Sequence, residues 1–139
     1  MNNEQPIKDN DVFEIHVDGS CKRNQYIAIG IYNKTNGDKY SVALNHPGSC
    51  NIAEAESIRK ALRLYAHNGC KKLIIYSDSM LIVYQLIGRY RVSRKLKPYI
   101  DSIRALTRHY LSVKFEWIPR EMNNVSNYLC QRANGVPIH

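Results

Sequence analysis

Leu73-Ile74-Ile75-Tyr76 is the segment that most limits what this chain can become. A short, nearly continuous apolar run reads as a strand covered on both faces, so the segments around it must supply its cover. Those segments carry helical spacing. Before it, Ile52, Ala55, Ile58, Leu62 and Tyr65 form one face of a helix, and Asn68-Gly69 supplies a stop. After it, a helix is expected from Ser79 to about Ile87, ending at Gly88, with Leu81, Val83, Leu86 and Ile87 available for burial.

The rest of the chain adds strands and two more helices. Phe13, Ile15 and Val17 alternate with Glu14, His16 and Asp18, the period of a pleated strand. Residues 28–32 and 39–44 read as two further strands. Asn36-Gly37 between them is a hairpin signal, so they should pair antiparallel. Pro98 is placed to open a third helix through roughly Tyr110. Val113, Phe115 and Trp117 alternate with Lys114 and Glu116 as a fifth strand, and a last helix runs from about Val125 to Ala133. The order βββαβααβα predicts one α/β domain: a five-stranded mixed sheet, three antiparallel strands then two parallel, flanked by helices. The domain is expected over residues 12–134, after a loose polar arm at 1–11 and before a tail at 135–139.

At 139 residues such a domain can bury a core without metal or disulfide staples. With 20 Lys and Arg against 12 Asp and Glu, its formal net charge of +8 suits a polyanionic partner. Cys21, Cys50, Cys70 and Cys130 show neither a CxxC pair nor zinc spacing, and are expected as reduced thiols in a cytoplasmic protein. No signal peptide and no apolar run long enough to span a bilayer is present, so no membrane partner is expected.

Asp18 stands at the end of the first strand, and Gly19 lets the chain turn away. Asp-Gly is also a common turn starter, so this carboxylate alone decides nothing. Two more carboxylates recur at the edges of regular elements: Glu54 at the head of the first helix and Asp78 after the fourth strand. The motifs around them resemble the ribonuclease H family, type 1. They are Asp18-Gly19-Ser20, Asn51-Ile52-Ala53-Glu54, Ser77-Asp78-Ser79, Gly88-Arg89-Tyr90-Arg91-Val92 with Leu96-Lys97-Pro98-Tyr99, and Trp117-Ile118-Pro119-Arg120-Glu121-x-Asn123. They stand in the family's order over about residues 12–133.

The resemblance implies a ribonuclease H-like fold and endonucleolytic hydrolysis of the RNA strand of an RNA/DNA hybrid. It also implies two divalent ions, Mg2+ or Mn2+, held by Asp18, Glu54, Asp78 and the last-helix residue Asn127. Clustered carboxylates of this kind need cations, and hard oxygen ligands suit those ions. Arg120 matches a position that assists the departing phosphate; it can equally be a solvated loop charge. Asn51 matches a residue that touches the RNA 2′-hydroxyl, and as an asparagine it is also a candidate helix cap. Ser20 and Asn24 are implied nucleic-acid contacts. Arg91, Arg94 and Lys95, within a basic run interleaved with Tyr90, stand where the family grips the DNA strand, although many charge runs are only solvated surface. The family's long basic insertion is absent.

Three departures stand out. Asn127 replaces the family's fourth carboxylate, Arg23-Asn24-Gln25-Tyr26 replaces its glycine-rich loop, and Met80 replaces a frequent Gln. His16 is expected as a packed histidine, and Glu56 is set aside because it faces away from Glu54. The leading expectation is a monomeric hydrolase, slowed by Asn127. The alternatives are a catalytically impaired module that binds hybrid or structured nucleic acid, and a structural domain of a larger assembly.

Overall fold

The computed structural model describes residues 7–8, 10–22 and 26–134. Most of the expected arm and all of the expected tail at 135–139 therefore lie outside the described residues, as does the loop at 23–25 with Asn24. The elements are β1 (Val12–Lys22), β2 (Tyr26–Asn33), β3 (Lys39–Leu44), α1 (Cys50–His67), β4 (Lys72–Ser77), α2 (Met80–Leu86), α3 (Lys97–Thr107), β5 (Ser112–Trp117) and α4 (Asn124–Ala133). A single 3-10 turn, Arg120–Met122, precedes α4.

One sheet has the order β3-β2-β1-β4-β5. β1, β2 and β3 pair antiparallel, and β4 and β5 join in parallel. This is the mixed sheet expected. Asn36-Gly37 makes its hairpin: Asn33 Oδ1 accepts from the Thr35 and Asn36 amides, and Gly37 adopts φ +88°.

The core lies between one sheet face and α1, α2 and α3. Ile15, Val17, Ile29, Ile31, Leu73 and Ile75 meet Ile58, Leu62 and Tyr65 of α1 and Ile100 and Ile103 of α3, all essentially solvent-free. α1 begins where Ser49 Oγ accepts from the Ile52 amide, 3.2 Å away. Ser49 is thus the cap, and Asn51 lies inside the first turn, contrary to its reading as a capping residue. α1 ends on Gly69 at φ +80°, and α2 is followed by Gly88 at φ +85°. α3 is shorter than expected, because the chain leaves the helix at Arg108 for a turn rather than continuing to Tyr110.

β4 differs from its sequence reading in an informative way. Leu73, Ile75 and Ser77 are buried, but Ile74 and Tyr76 are only partly so. α4 packs on β2, β1 and β3, leaving the second face of β4 half open. Tyr76 spans that opening, donating to Glu14 Oε1 at 3.0 Å and resting on His16 with ring centroids 5.0 Å apart. Among the described residues no helix is long and apolar enough to cross a membrane.

α4 can sit so close to the sheet because β2 carries Gly30 at the contact. A Cβ there would lie 2.1 Å from the Ser126 carbonyl oxygen and 2.7 Å from the Cys130 amide. Both are backbone atoms that cannot swing aside. Gly30→Ala should therefore push α4 off the sheet and cost about 2–4 kcal/mol, seen as a lower urea midpoint with an unchanged slope.

Candidate metal centre

The register of two parallel strands creates the site. Val17 and Ser77 are partners across β1 and β4, so Asp18 and Asp78, one residue further on, come level with each other. Glu54 joins them from α1. At Gly19 the helix comes so near that a Cβ would fall 2.0 Å from the Ala53 carbonyl oxygen. Only glycine admits this approach, and it lets the Gly19 amide donate to Glu54 Oε1 at 2.8 Å. One carboxylate oxygen from each of Asp18, Glu54 and Asp78 then lies within 4.8 Å of the others.

The cluster is electrostatically unfavourable as it stands. Burial, reinforced by the Asp78 charge, raises the Asp18 pKa to about 6, with Arg120 pulling it the other way. Burial, then Asp18 and Asp78, holds Glu54 well above the usual carboxylate range. Charges of one sign, gathered with little solvent, call for a counter-cation.

Asn127 completes the fit. Its side chain is 8% exposed, its Nδ2 points to the Arg120 carbonyl oxygen at 3.5 Å, and its Oδ1 is buried with no hydrogen-bond partner. Ser126, its neighbour, lies over Gly30, which pairs with Asp18 across the sheet. A buried amide oxygen without a donor, on the helix packed over the strand partner of Asp18, suits a hard divalent ion. Asp18, Glu54, Asp78 and Asn127 are the residues that would hold it.

Asn123 is the residue that reading the sequence overlooked. Fully buried, it donates from Nδ2 to the Val17 carbonyl oxygen at 2.9 Å and to Asp78 Oδ2 at 3.2 Å. Its own Oδ1 accepts from Ser126 Oγ at 2.6 Å. It thereby ties β1, the Asp78 carboxylate and the start of α4 together. Its place at the end of the Trp117 motif was the only available signal. Trp117 adds a hydrogen bond from Nε1 to the Asp78 carbonyl oxygen.

The other expected residues are distributed around this centre. Arg120 is exposed on the 3-10 turn and close enough to Asp18 to act on its charge. Asn51 is exposed on the first turn of α1. Ser20 faces α4, its hydroxyl engaged by Cys130 Sγ at 3.1 Å and by the Asn134 amide. Arg91, Arg94 and Lys95 are exposed between α2 and α3, on a segment anchored by buried Leu96. That segment is also tied back by the Arg89 and Tyr90 amides, which donate to the Tyr84 carbonyl oxygen, and by Tyr90 packed edge-on against the Tyr84 ring. His16 is packed between Tyr32 and Tyr76, and burial lowers its pKa. Glu56 is buried but turned to Arg59 Nε, 2.7 Å away, and to His46.

The raised Asp18 pKa fixes the sign of a stability effect. Its folded-state value of about 6 exceeds the model-peptide value of 3.8. Without metal, the folded chain therefore binds the extra proton, and stability falls as pH rises from about 4 to 6. Asp18→Asn should raise metal-free stability at pH 7 by about 1–3 kcal/mol, and should erase the stabilisation that manganese gives the parent. Thermal melts at pH 4 and 7, with and without manganese, measure both.

Comparison with known proteins agrees with this geometry. Residues 16–133 match the family described as reverse transcriptase-like. The RNase H1 of the halophilic archaeon Halobacterium salinarum superposes with a TM-score of 0.81 at 20% identity, covering 91% of this chain and 100% of that one. LC11-RNase H1, solved in complex with an RNA/DNA hybrid, gives 0.75 at 25% identity, covering 87% and 95%. The bifunctional protein Rv2228c of Mycobacterium tuberculosis is 29% identical over 85 residues, which are 60% of this chain but only 23% of that protein. The chain thus spans about a quarter of the length of the curated relatives it matches. It belongs to the reverse transcriptase-like family, with a ribonuclease H-like fold.

Proposed function

We propose that the domain is a divalent-metal-dependent endonuclease that hydrolyses the RNA strand of RNA/DNA hybrids, working slowly in the cytoplasm. The observation that carries this reading is the convergence of one carboxylate oxygen from each of Asp18, Glu54 and Asp78 within 4.8 Å. When bound, two ions, magnesium or manganese, would supply the Lewis acidity that activates water and steadies the leaving oxygen. Asp18 would serve as a ligand to both ions, Glu54 and Asp78 to one of them and Asn127 to the other. Asn123 keeps the Asp78 carboxylate oriented through its amide. Arg120, exposed beside Asp18, would meet the phosphate as negative charge builds on it.

Substrate recognition follows from the same surface. Asn51, exposed near Glu54, would contact the RNA 2′-hydroxyl, the group that separates RNA from DNA. Ser20 would contribute its backbone, since its hydroxyl is engaged by α4. Arg91, Arg94 and Lys95 would lie along the DNA strand and give affinity without sequence choice. The hybrid in the LC11-RNase H1 complex and the net charge of +8 support a nucleic-acid substrate of this class.

A second reading is favoured by Asn127 itself: a module that binds hybrid with little hydrolysis. An amide oxygen ligates without charge, so the ion it shares with Asp18 should bind weakly. Hybrid cleavage measured across magnesium and manganese concentrations separates the two. Slow cleavage that needs high metal supports the enzyme, and no cleavage in either ion supports the module. In the enzyme, Asp78→Asn abolishes cutting with the fold intact, and Asn127→Asp raises the rate at low metal without changing hybrid affinity in calcium. An Asp78→Asn protein that cuts at the parental rate would remove the metal assignment.

The basic segment has its own test. Replacing Arg91, Arg94 and Lys95 with Ala should weaken hybrid binding and flatten the slope of log affinity against log salt by up to about one unit per lost phosphate contact. An unchanged slope would show that these side chains are only solvated.

A further inference from the structure

Two sulfurs meet where β1 ends and α1 begins. Cys21 Sγ and Cys50 Sγ are 2.7 Å apart, and neither is in a disulfide. The other cysteines supply a ruler. Cys70 Sγ stands 3.3 Å from the Lys72 carbonyl oxygen, and Cys130 Sγ stands 3.1 Å from Ser20 Oγ and 3.2 Å from the Ala28 carbonyl oxygen. Sulfur is larger than oxygen, so two sulfurs in ordinary contact keep more than these distances. A separation of 2.7 Å is too close for contact and only a short step from the ~2.05 Å of an S–S bond.

We propose that Cys21 and Cys50 are a redox modification site, closing to a disulfide that staples β1 to α1 while leaving the metal centre assembled. Three observations beyond the distance support this. The backbone at this junction is already held close, with the Gly19 amide on Glu54 and the Ala53 carbonyl against Gly19, so the bond needs little movement. Cys50 is exposed and Cys21 partly so, which admits a small oxidant. Cys70 and Cys130 are each 1% exposed, so oxidation is confined to the pair.

The reaction balances with a low-molecular-weight disulfide such as oxidised glutathione as the oxidant. The Cys50 thiolate, the more exposed, attacks one sulfur of oxidised glutathione and expels the other half as a thiol. Cys21, after losing its proton, attacks the Cys50 sulfur of the mixed disulfide and expels the second glutathione. Two protein thiols are oxidised and one glutathione disulfide is reduced to two thiols. The bond closes a loop between residues 29 apart, whose lost freedom in the unfolded chain is the source of stabilisation.

The test uses the full chain treated with oxidised glutathione, blocked with iodoacetamide, digested and mapped by mass spectrometry. The expected product is a peptide joining Cys21 to Cys50. It should accompany a melting temperature higher by about 5–10 °C that dithiothreitol reverses. Cys21→Ser and Cys50→Ser, each melting like the reduced parent, should lose both the linked peptide and the gain. The shift in melting temperature on adding manganese, whatever its size, should be the same in oxidised and reduced protein. Glutathione retained singly on either cysteine, both thiols alkylated after oxidation, a linked form that melts lower, or a manganese response lost only on oxidation would each overturn the proposal. None of these outcomes depends on whether the protein cuts a hybrid.

Discussion

Like charges on adjacent strands are the constraint around which this molecule is built. Asp18 and Asp78 are brought level by a parallel register that also pairs Ile15 with Ile75 and lays both in the core. The register cannot slip to separate the charges without moving apolar side chains to the wrong face. The apolar core therefore holds the carboxylates where burial first, and their mutual repulsion second, raises the pKa values of Asp18 and Glu54. A cation relieves that repulsion, and among the described residues Arg120 opposes the shift at Asp18 while no basic side chain opposes it at Glu54.

Two glycines make the crowding sterically possible. Gly19 admits the first turn of α1 on one side, and Gly30 admits α4 against β2. Without them the helices would stand off, Glu54 could not approach Asp18, and α4 could not pack against β2. Asn123 then orients what the backbone has brought together, because its amide bonds to the chain carrying Asp18 and to the Asp78 side chain at once.

Much of this was legible in the residues, for physical reasons that differ by element. Apolar patterning, with Pro98 opening α3, located the five strands and four α-helices of the described residues but not the 3-10 turn, and the hairpin at Asn36-Gly37 was readable because a positive φ selects glycine. The three carboxylates could be named because each falls at the end or start of an element. Apart from the early end of α3, the failures concern cover and partnership. Leu73-Ile74-Ile75-Tyr76 looked buried on both faces, yet Tyr76 is amphipathic and spans an open face through Glu14. Asn51 looked like a cap, but Ser49 took that role and shortened the loop. The Asn123 bridge and the meeting of Cys21 with Cys50 join residues far apart in sequence, and no local pattern encodes such a meeting.

The Asn123 bridge has a consequence for the order in which the site comes into being. Asp18, Glu54 and Asp78 are all made before the group that orients Asp78 and the fourth oxygen, which lie at 123 and 127. Until the chain from Asn123 through α4 docks, Asp78 lacks the amide that orients it and the trio lacks Asn127. A chain still being made carries the acidic trio without a finished centre. In the proposed nuclease, chemistry on a phosphodiester would thereby be deferred until nearly the whole domain is in place, a timing set by the path of the chain alone.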